Sequence, residues 1–155
     1  MAFWEIVLRL TAATVIGGVI GLNRDLHGKA AGVRTLGLVA LSSALVVLGI
    51  TDLFPPSAHD LNPLSRVMQG VLTGIGFLGA GVILQDSKGG YRVHNLTTAA
   101  VTWLTACVGM VCGTGNWRLL VIAVILLALL LVFGGALERM FRDKMGRNES
   151  TTGDD

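Results

Sequence analysis

Charge is what this sequence has least of. Only 14% of its 155 residues are Asp, Glu, Lys or Arg, against roughly a quarter in a soluble globular domain, so little remains from which to build a separate soluble domain. Cysteine is scarce: Cys107 and Cys112 share one apolar run without a metal-type spacing and read as small buried hydrophobes, from which no redox compartment follows. Proline is confined to Pro55, Pro56 and Pro63, within a single break in the apolar pattern. His27, His59 and His94 stand in separate loops and form no metal-ligand cluster. The net charge is only +2 and no basic run alternates with aromatics, which argues against nucleic acid as a partner. Ser42, Ser43 and Ser65 lack a nearby base, so nucleophilic catalysis has no support and a non-enzymatic protein is expected.

What is present is apolar sequence: 52% of residues are hydrophobic and the mean hydropathy is +0.69. Five segments are long enough to cross a bilayer core, which takes about 20 helical residues: Phe3–Leu22, Thr35–Phe54, Ser65–Leu84, Leu96–Gly113 and Trp117–Leu137. The breaks between them, "NRDLHGKAAGVR", "PPSAHDLNP", "QDSKGGYRVHN" and "GTGN", are polar or turn-forming. The start, "MAFWEIVLRLTAATVIGG", has Glu5 where a signal peptide is basic, so it is read as a retained span. The expected fold is all-α, a polytopic helical bundle over residues 1–137 with a basic and then polar tail over 138–155, its end disordered. Of the twelve Lys and Arg residues, nine fall on the side of the first loop, the third loop and the tail, two on the other side, and Arg9 inside a span. The positive-inside rule then places the N-terminus outside and the C-terminus in the cytoplasm.

The third span raises its own question, because Gly70, Gly74, Gly76, Gly79 and Gly81 interrupt it. Each glycine costs roughly 0.8–1 kcal/mol relative to alanine inside a helix, so something must offset them. On a helical wheel Gly70, Gly74 and Gly81 share a narrow stripe opposite the bulky Val71, Ile75, Leu78 and Val82. Small faces let helices approach closely where lipid gives burial no advantage. That reading makes the third span central, joined by the spans carrying Gly17-x-x-x-Gly21 and Gly109-x-x-x-Gly113. The competing reading is a helix that unwinds at mid-membrane and offers backbone dipoles to an ion.

Polar residues within the spans add candidates. Thr98, Thr102, Thr105, Gly109 and Gly113 fall on one helical face, either bonding carbonyls one turn back and gluing helices or lining a wetted crevice. Glu5 and Arg9, four apart with the acid first, are placed to neutralise each other near the outer interface, with Arg9 snorkelling. Arg66 and Arg34 each open a helix against its dipole. Asp60, Asp52 or Glu5 are candidate partners for Arg66, and Asp86 or backbone carbonyls for Arg34.

Taken together, "GLNRDLHGKAAGVRTLGLVAL", "SRVMQGVLTGIGFLGAGVIL" and "VHNLTTAAVTWLTACVGMVCGTG" resemble the MgtC/SapB family of bacterial inner-membrane proteins over about Gly17 to Gly115. The matching positions are Gly21, Arg24, Ala31, Gly32, Arg34 and Thr35, then Arg66, Gly74, Gly76, Gly79 and Gly81 around Phe77 and Leu78, then Leu96, Thr97, Thr98, Ala99, Ala100 and Trp103. An Asp-Pro pair often precedes the third-span arginine in the family; here Asn62-Pro63 stands instead, displaced by Leu64-Ser65. The resemblance implies a multi-pass plasma-membrane protein linked to Mg²⁺ homeostasis, low-Mg²⁺ growth and, in pathogens, survival inside host cells. It also implies a short form without the soluble C-terminal domain of some members. Some members are described as restraining the F-type ATP synthase.

Two functional expectations follow. The first is a regulator without cofactor that binds other integral membrane proteins, or a second copy of itself, through small-residue faces. Here Arg24, Arg34 and Thr35 fix the cytoplasmic face, Arg66 the outer entrance and Thr98 a contact between spans. The second is a transporter of Mg²⁺ or another ion, with a path along a broken third span and the threonine stripe, and with Asp86, Asn95 and Thr98 as inner ligands.

Overall fold

The computed structural model describes residues 1–54, 62–84 and 95–149, with side chains described for all of these except residues 84 and 135–149. The described residues form five helices: α1 (Phe3–Leu26), α2 (Val33–Leu53), α3 (Asn62–Leu84), α4 (Leu96–Thr114) and α5 (Trp117–Glu149). No strand occurs among the described residues. All five contain stretches long and apolar enough to span a membrane. At 1.5 Å per residue, the 24 residues of α1 reach about 36 Å, past a hydrocarbon core of about 30 Å. The first span therefore ends one turn later than the sequence suggests, and Arg24 belongs to its last turn. α5 likewise continues past Leu137 through residues 138–149 of the expected tail.

The chain divides into two units, Met1–Trp117 and Arg118–Asp155. In the first, α2 is the middle element, packed against α1 and α4, while α3 lies mainly on α4 and touches α2. This corrects the expected inner bundle of the first, third and fourth spans. The reason lies in small residues that composition alone did not single out: Ala40 and Ala44 of α2 are fully buried, and Gly17, Gly109 and Gly113 close on them. A Cβ placed on Gly17 would stand 2.6 Å from the Leu36 carbonyl oxygen and 2.7 Å from the Ala40 Cβ. From the other side, a Cβ on Gly109 would run into the Ala40 carbonyl, and one on Gly113 would lie 2.8 Å from the Ala44 carbonyl oxygen. Bare backbone on α1 and α4 thus brings three helices to van der Waals contact, the form of attraction left to helices in lipid.

α3 has the opposite orientation to the one the glycine stripe suggests. Part of its bulky stripe faces inward: Ile75 is buried with Val39 and Ala106, and Val71 packs against them, whereas Leu78 is exposed. Gly70, Gly74, Gly76 and Gly81 are exposed, and a Cβ added to any of them would meet no described atom within 4 Å. Gly79 alone is covered, where a Cβ would lie 3.5 Å from the Ala99 Cβ. The helix is also continuous from Asn62 to Leu84, so the mid-membrane break does not occur. In the second unit the backbone of α5 is helical to Glu149.

Candidate functional site

The sequence motifs converge at one end of the four-helix unit, where α1 ends, α2 begins and α4 begins. "GLNRDLHGKAAGVR" turns the chain between α1 and α2 through Gly28 at φ +63°. Gly21 lets the turn close: a Cβ there would lie 2.6 Å from the Gly32 carbonyl and from the Val33 Cα. Asp25 then reaches eight residues along the chain, and its carboxylate accepts the Val33 backbone N–H at 2.9 Å. A carboxylate at a helix N-terminus satisfies an orphan donor and complements the dipole. Gly32, the N-cap residue, has no room for a side chain because a Cβ would collide with that carboxylate.

Arg24 points the other way, into the unit. It is only 3% exposed, and its Nη2 donates to the Thr98 hydroxyl on the first turn of α4. Thr98 is itself buried at 1% exposure. The Nε of Arg24 is buried with no hydrogen-bond partner among the described residues. Asn95 precedes α4 in the left-handed region, at φ 65°, a conformation asparagine tolerates better than most residues. Its amide leans toward the Val82 carbonyl at 3.5 Å and does not cap α4, whose N-terminus has no side-chain cap among the described residues.

The site is therefore electropositive. A buried guanidinium sits against the positive end of a helix dipole, while the adjacent carboxylate of Asp25 is committed to α2. Thr98 accepts a hydrogen bond from the Arg24 guanidinium, and the Asn95 amide nitrogen points toward α3. Of the expected Mg²⁺ ligands, Thr98 is thus engaged by Arg24 and the Asn95 amide nitrogen by Val82; the third candidate, Asp86, lies outside the described residues. Farther along the threonine stripe, Thr102 donates to the Thr98 carbonyl at 2.9 Å and Thr105 to the Val101 carbonyl at 2.7 Å. Both are buried, with hydroxyls bonded one turn back on their own helix.

The other sequence candidates stand apart. Arg34, Thr35 and Thr97 are exposed at the same end, and Trp103 is 45% exposed on α4. Arg66 is exposed at the start of α3. Two of its expected partners are engaged elsewhere, Glu5 with Arg9 at 2.6 Å and Asp52 with the N-terminal amine at 3.4 Å, and Asp60 lies outside the described residues. Arg9 does more than snorkel: its Nη1 donates to the Gly113 carbonyl at 2.9 Å. Sequence reasoning missed Asp25, because it lies eight residues before Val33 and within α1, too far from the start of α2 to read as a capping signal.

The sequence model of the MgtC family matches residues 10–140. Protein SrpB of Synechococcus elongatus is 50% identical over 117 residues, which cover 72% of this chain and 64% of that protein. A protein of Escherichia coli K12 named "Putative magnesium transporter YhiD" is 40% identical, over 74% of this chain and 54% of its own. Protein MgtC of Salmonella typhimurium is 36% identical, over 76% of this chain and 47% of its own. The chain thus spans roughly half to two-thirds of these relatives. No solved structure matches it significantly.

Proposed function

Because the chain belongs to the MgtC family, we propose that it is a multi-pass protein of the bacterial inner membrane that serves Mg²⁺ homeostasis as a regulator, by contact with other membrane proteins and without catalysis. The observation that carries this reading is the bare glycine face of α3. Gly17, Gly21, Gly109 and Gly113 are all used up by neighbouring backbone, whereas Gly70, Gly74, Gly76 and Gly81 meet no described atom within 4 Å. Four glycines in an apolar helix cost a few kcal/mol of helix preference, and no packing contact among the described residues offsets that cost. A transmembrane helix of another protein laid on this face gains the close approach that small residues permit. The "magnesium transporter" in the name given to the E. coli relative supports the Mg²⁺ link.

The transport reading loses its two physical supports. Its path required an interrupted third helix and a hydrated threonine stripe, but α3 is continuous and the hydroxyls of Thr102 and Thr105 are bonded to their own helix.

Purified protein in liposomes, tested for Mg²⁺ entry, separates the two readings. The regulator gives no saturable flux alone and co-purifies from its native membrane with another integral complex, the F-type ATP synthase being one to probe. Gly74→Leu abolishes that co-purification. Saturable Mg²⁺ flux from the pure chain overturns the proposal.

A further inference from the structure

Arg24 poses a charge problem that the glycine face does not address. The guanidinium is 3% exposed, and no carboxylate among the described residues pairs with it; the described ion pairs are Glu5 with Arg9 and Asp52 with the N-terminal amine. Asp25, its neighbour in sequence, bonds the Val33 N–H of α2. The group Arg24 does touch, Thr98, belongs to the first turn of α4, where the helix dipole adds a further partial positive charge. Leaving a buried charge uncompensated costs several kcal/mol. This arrangement persists only if negative charge arrives from elsewhere.

Three donor groups belong to this contact between Arg24 and the first turn of α4. Arg24 Nε is buried and unpartnered among the described residues. No side chain among the described residues caps the N-terminus of α4, Asn95 leaning toward Val82 instead, and the first N–H groups of any helix lack intrahelical partners. The Thr98 hydroxyl, accepting from Arg24, still has its own proton to donate. A guanidinium edge, a hydroxyl and a helix N-terminus are the components from which oxyanion sites are built. Exposed Lys29, whose backbone N–H bonds the Arg24 carbonyl at 3.1 Å, adds positive potential at this end.

We infer that Arg24, Thr98 and the uncapped N-terminus of α4 form a binding site for a phosphate group at the cytoplasmic edge of the membrane. The group is either the headgroup phosphate of an anionic phospholipid or free inorganic phosphate. The site is independent of the α3 face and of any regulatory partner.

The test uses the full chain purified in a neutral, phosphate-free detergent. Inorganic phosphate is titrated in one arm and short-chain phosphatidylglycerol in another, with thermal unfolding as the readout and a chloride series at matched ionic strength as control. One of the two phosphate sources raises Tm by several degrees and saturates, chloride does not, and the effective arm identifies the source. In Arg24→Gln the apparent affinity falls about tenfold or more, the size of one charge-assisted hydrogen bond, while Arg34→Gln retains it. If Arg24→Gln does not fold, Thr98→Val, which removes the hydroxyl and keeps the shape, must weaken the same response. The inference is overturned if neither source shifts Tm, if folded Arg24→Gln responds like the wild type, or if Asp86→Asn destabilises the ligand-free chain as much as Arg24→Gln, which would make the counter-charge internal.

Discussion

Arg9 and Gly113, 104 residues apart, are joined by a hydrogen bond of 2.9 Å from the guanidinium Nη1 to the backbone carbonyl. The contact closes the end of α4: Gly115 follows in the left-handed region at φ 72°, and a Cβ on it would sit 2.6 Å from the Arg9 guanidinium carbon. A cation at a helix C-terminus meets the negative end of the dipole and takes up carbonyls that the helix leaves unpaired. Arg9 therefore ties the start of α1 to the end of α4, and Glu5 steadies it at 2.6 Å.

Two substitutions separate the tie from the ion pair. Arg9→Met keeps the stem and loses the bond to Gly113, at an expected cost of about 2 kcal/mol, in the range for hydrogen bonds to charged groups. Glu5→Gln removes a partly exposed ion pair, and about 0.5 kcal/mol is expected. Thermal unfolding in detergent reads both. Equal losses would mean that the bond to Gly113 contributes nothing beyond the pair.

Asp25 and Gly32 are expected to behave as one unit. Asp25→Ala removes the acceptor for the Val33 N–H and is expected to cost about 1 kcal/mol, as loss of an N-cap does. Gly32→Ala pushes the same carboxylate out of place and loses the same bond. The double variant therefore costs little more than either single one, and a double-mutant cycle on unfolding free energies checks this. Strict additivity would mean that the two positions act separately.

Element type was legible in the sequence, because five apolar runs and polar breaks leave few alternatives to five membrane helices. The glycine pairs of the first and fourth spans were legible as packing devices as well. Their target was not: Ala40 and Ala44 lie in a segment where every residue is small or apolar, and nothing in one helix's pattern says which neighbour it meets. The orientation of α3 failed for the same reason. A wheel separates Gly70, Gly74 and Gly81 from Val71 and Ile75, but in lipid either face can be the inner one. At the candidate site, Arg24 and Thr98 were marked by family resemblance, whereas their hydrogen bond joins residues 74 apart and depends on how α1 and α4 are brought together by α2.

Orientation has a direct readout. The positive-inside rule, applied to the sequence, expects the segment with Arg24, Lys29 and Arg34 and the basic residues after Leu137 to face the cytoplasm. A reporter fused after Arg147 that works only in the reducing interior is expected to be active, and one that works only outside is expected to be silent. The reverse pattern would move the Arg24 site to the outer surface.

The two classes of glycine make the sharpest contrast. At Gly109 a larger side chain must displace the Ala40 backbone, the strained overpacking that costs about 1–3 kcal/mol or more in a tight core. Gly109→Leu is therefore expected to lower Tm by several degrees and reduce the yield of folded protein. At Gly74 an added Cβ meets no described atom within 4 Å, and leucine is the better helix former by several tenths of a kcal/mol. Gly74→Leu is expected to fold as well as the wild type or better when purified alone, and to lose function only in the cell, where the face is occupied. Unfolding in detergent, compared with complementation of a low-Mg²⁺ growth defect, distinguishes the two. If Gly74→Leu is fully active in that assay, the open face of α3 is a lipid-facing surface and the regulatory contact lies elsewhere.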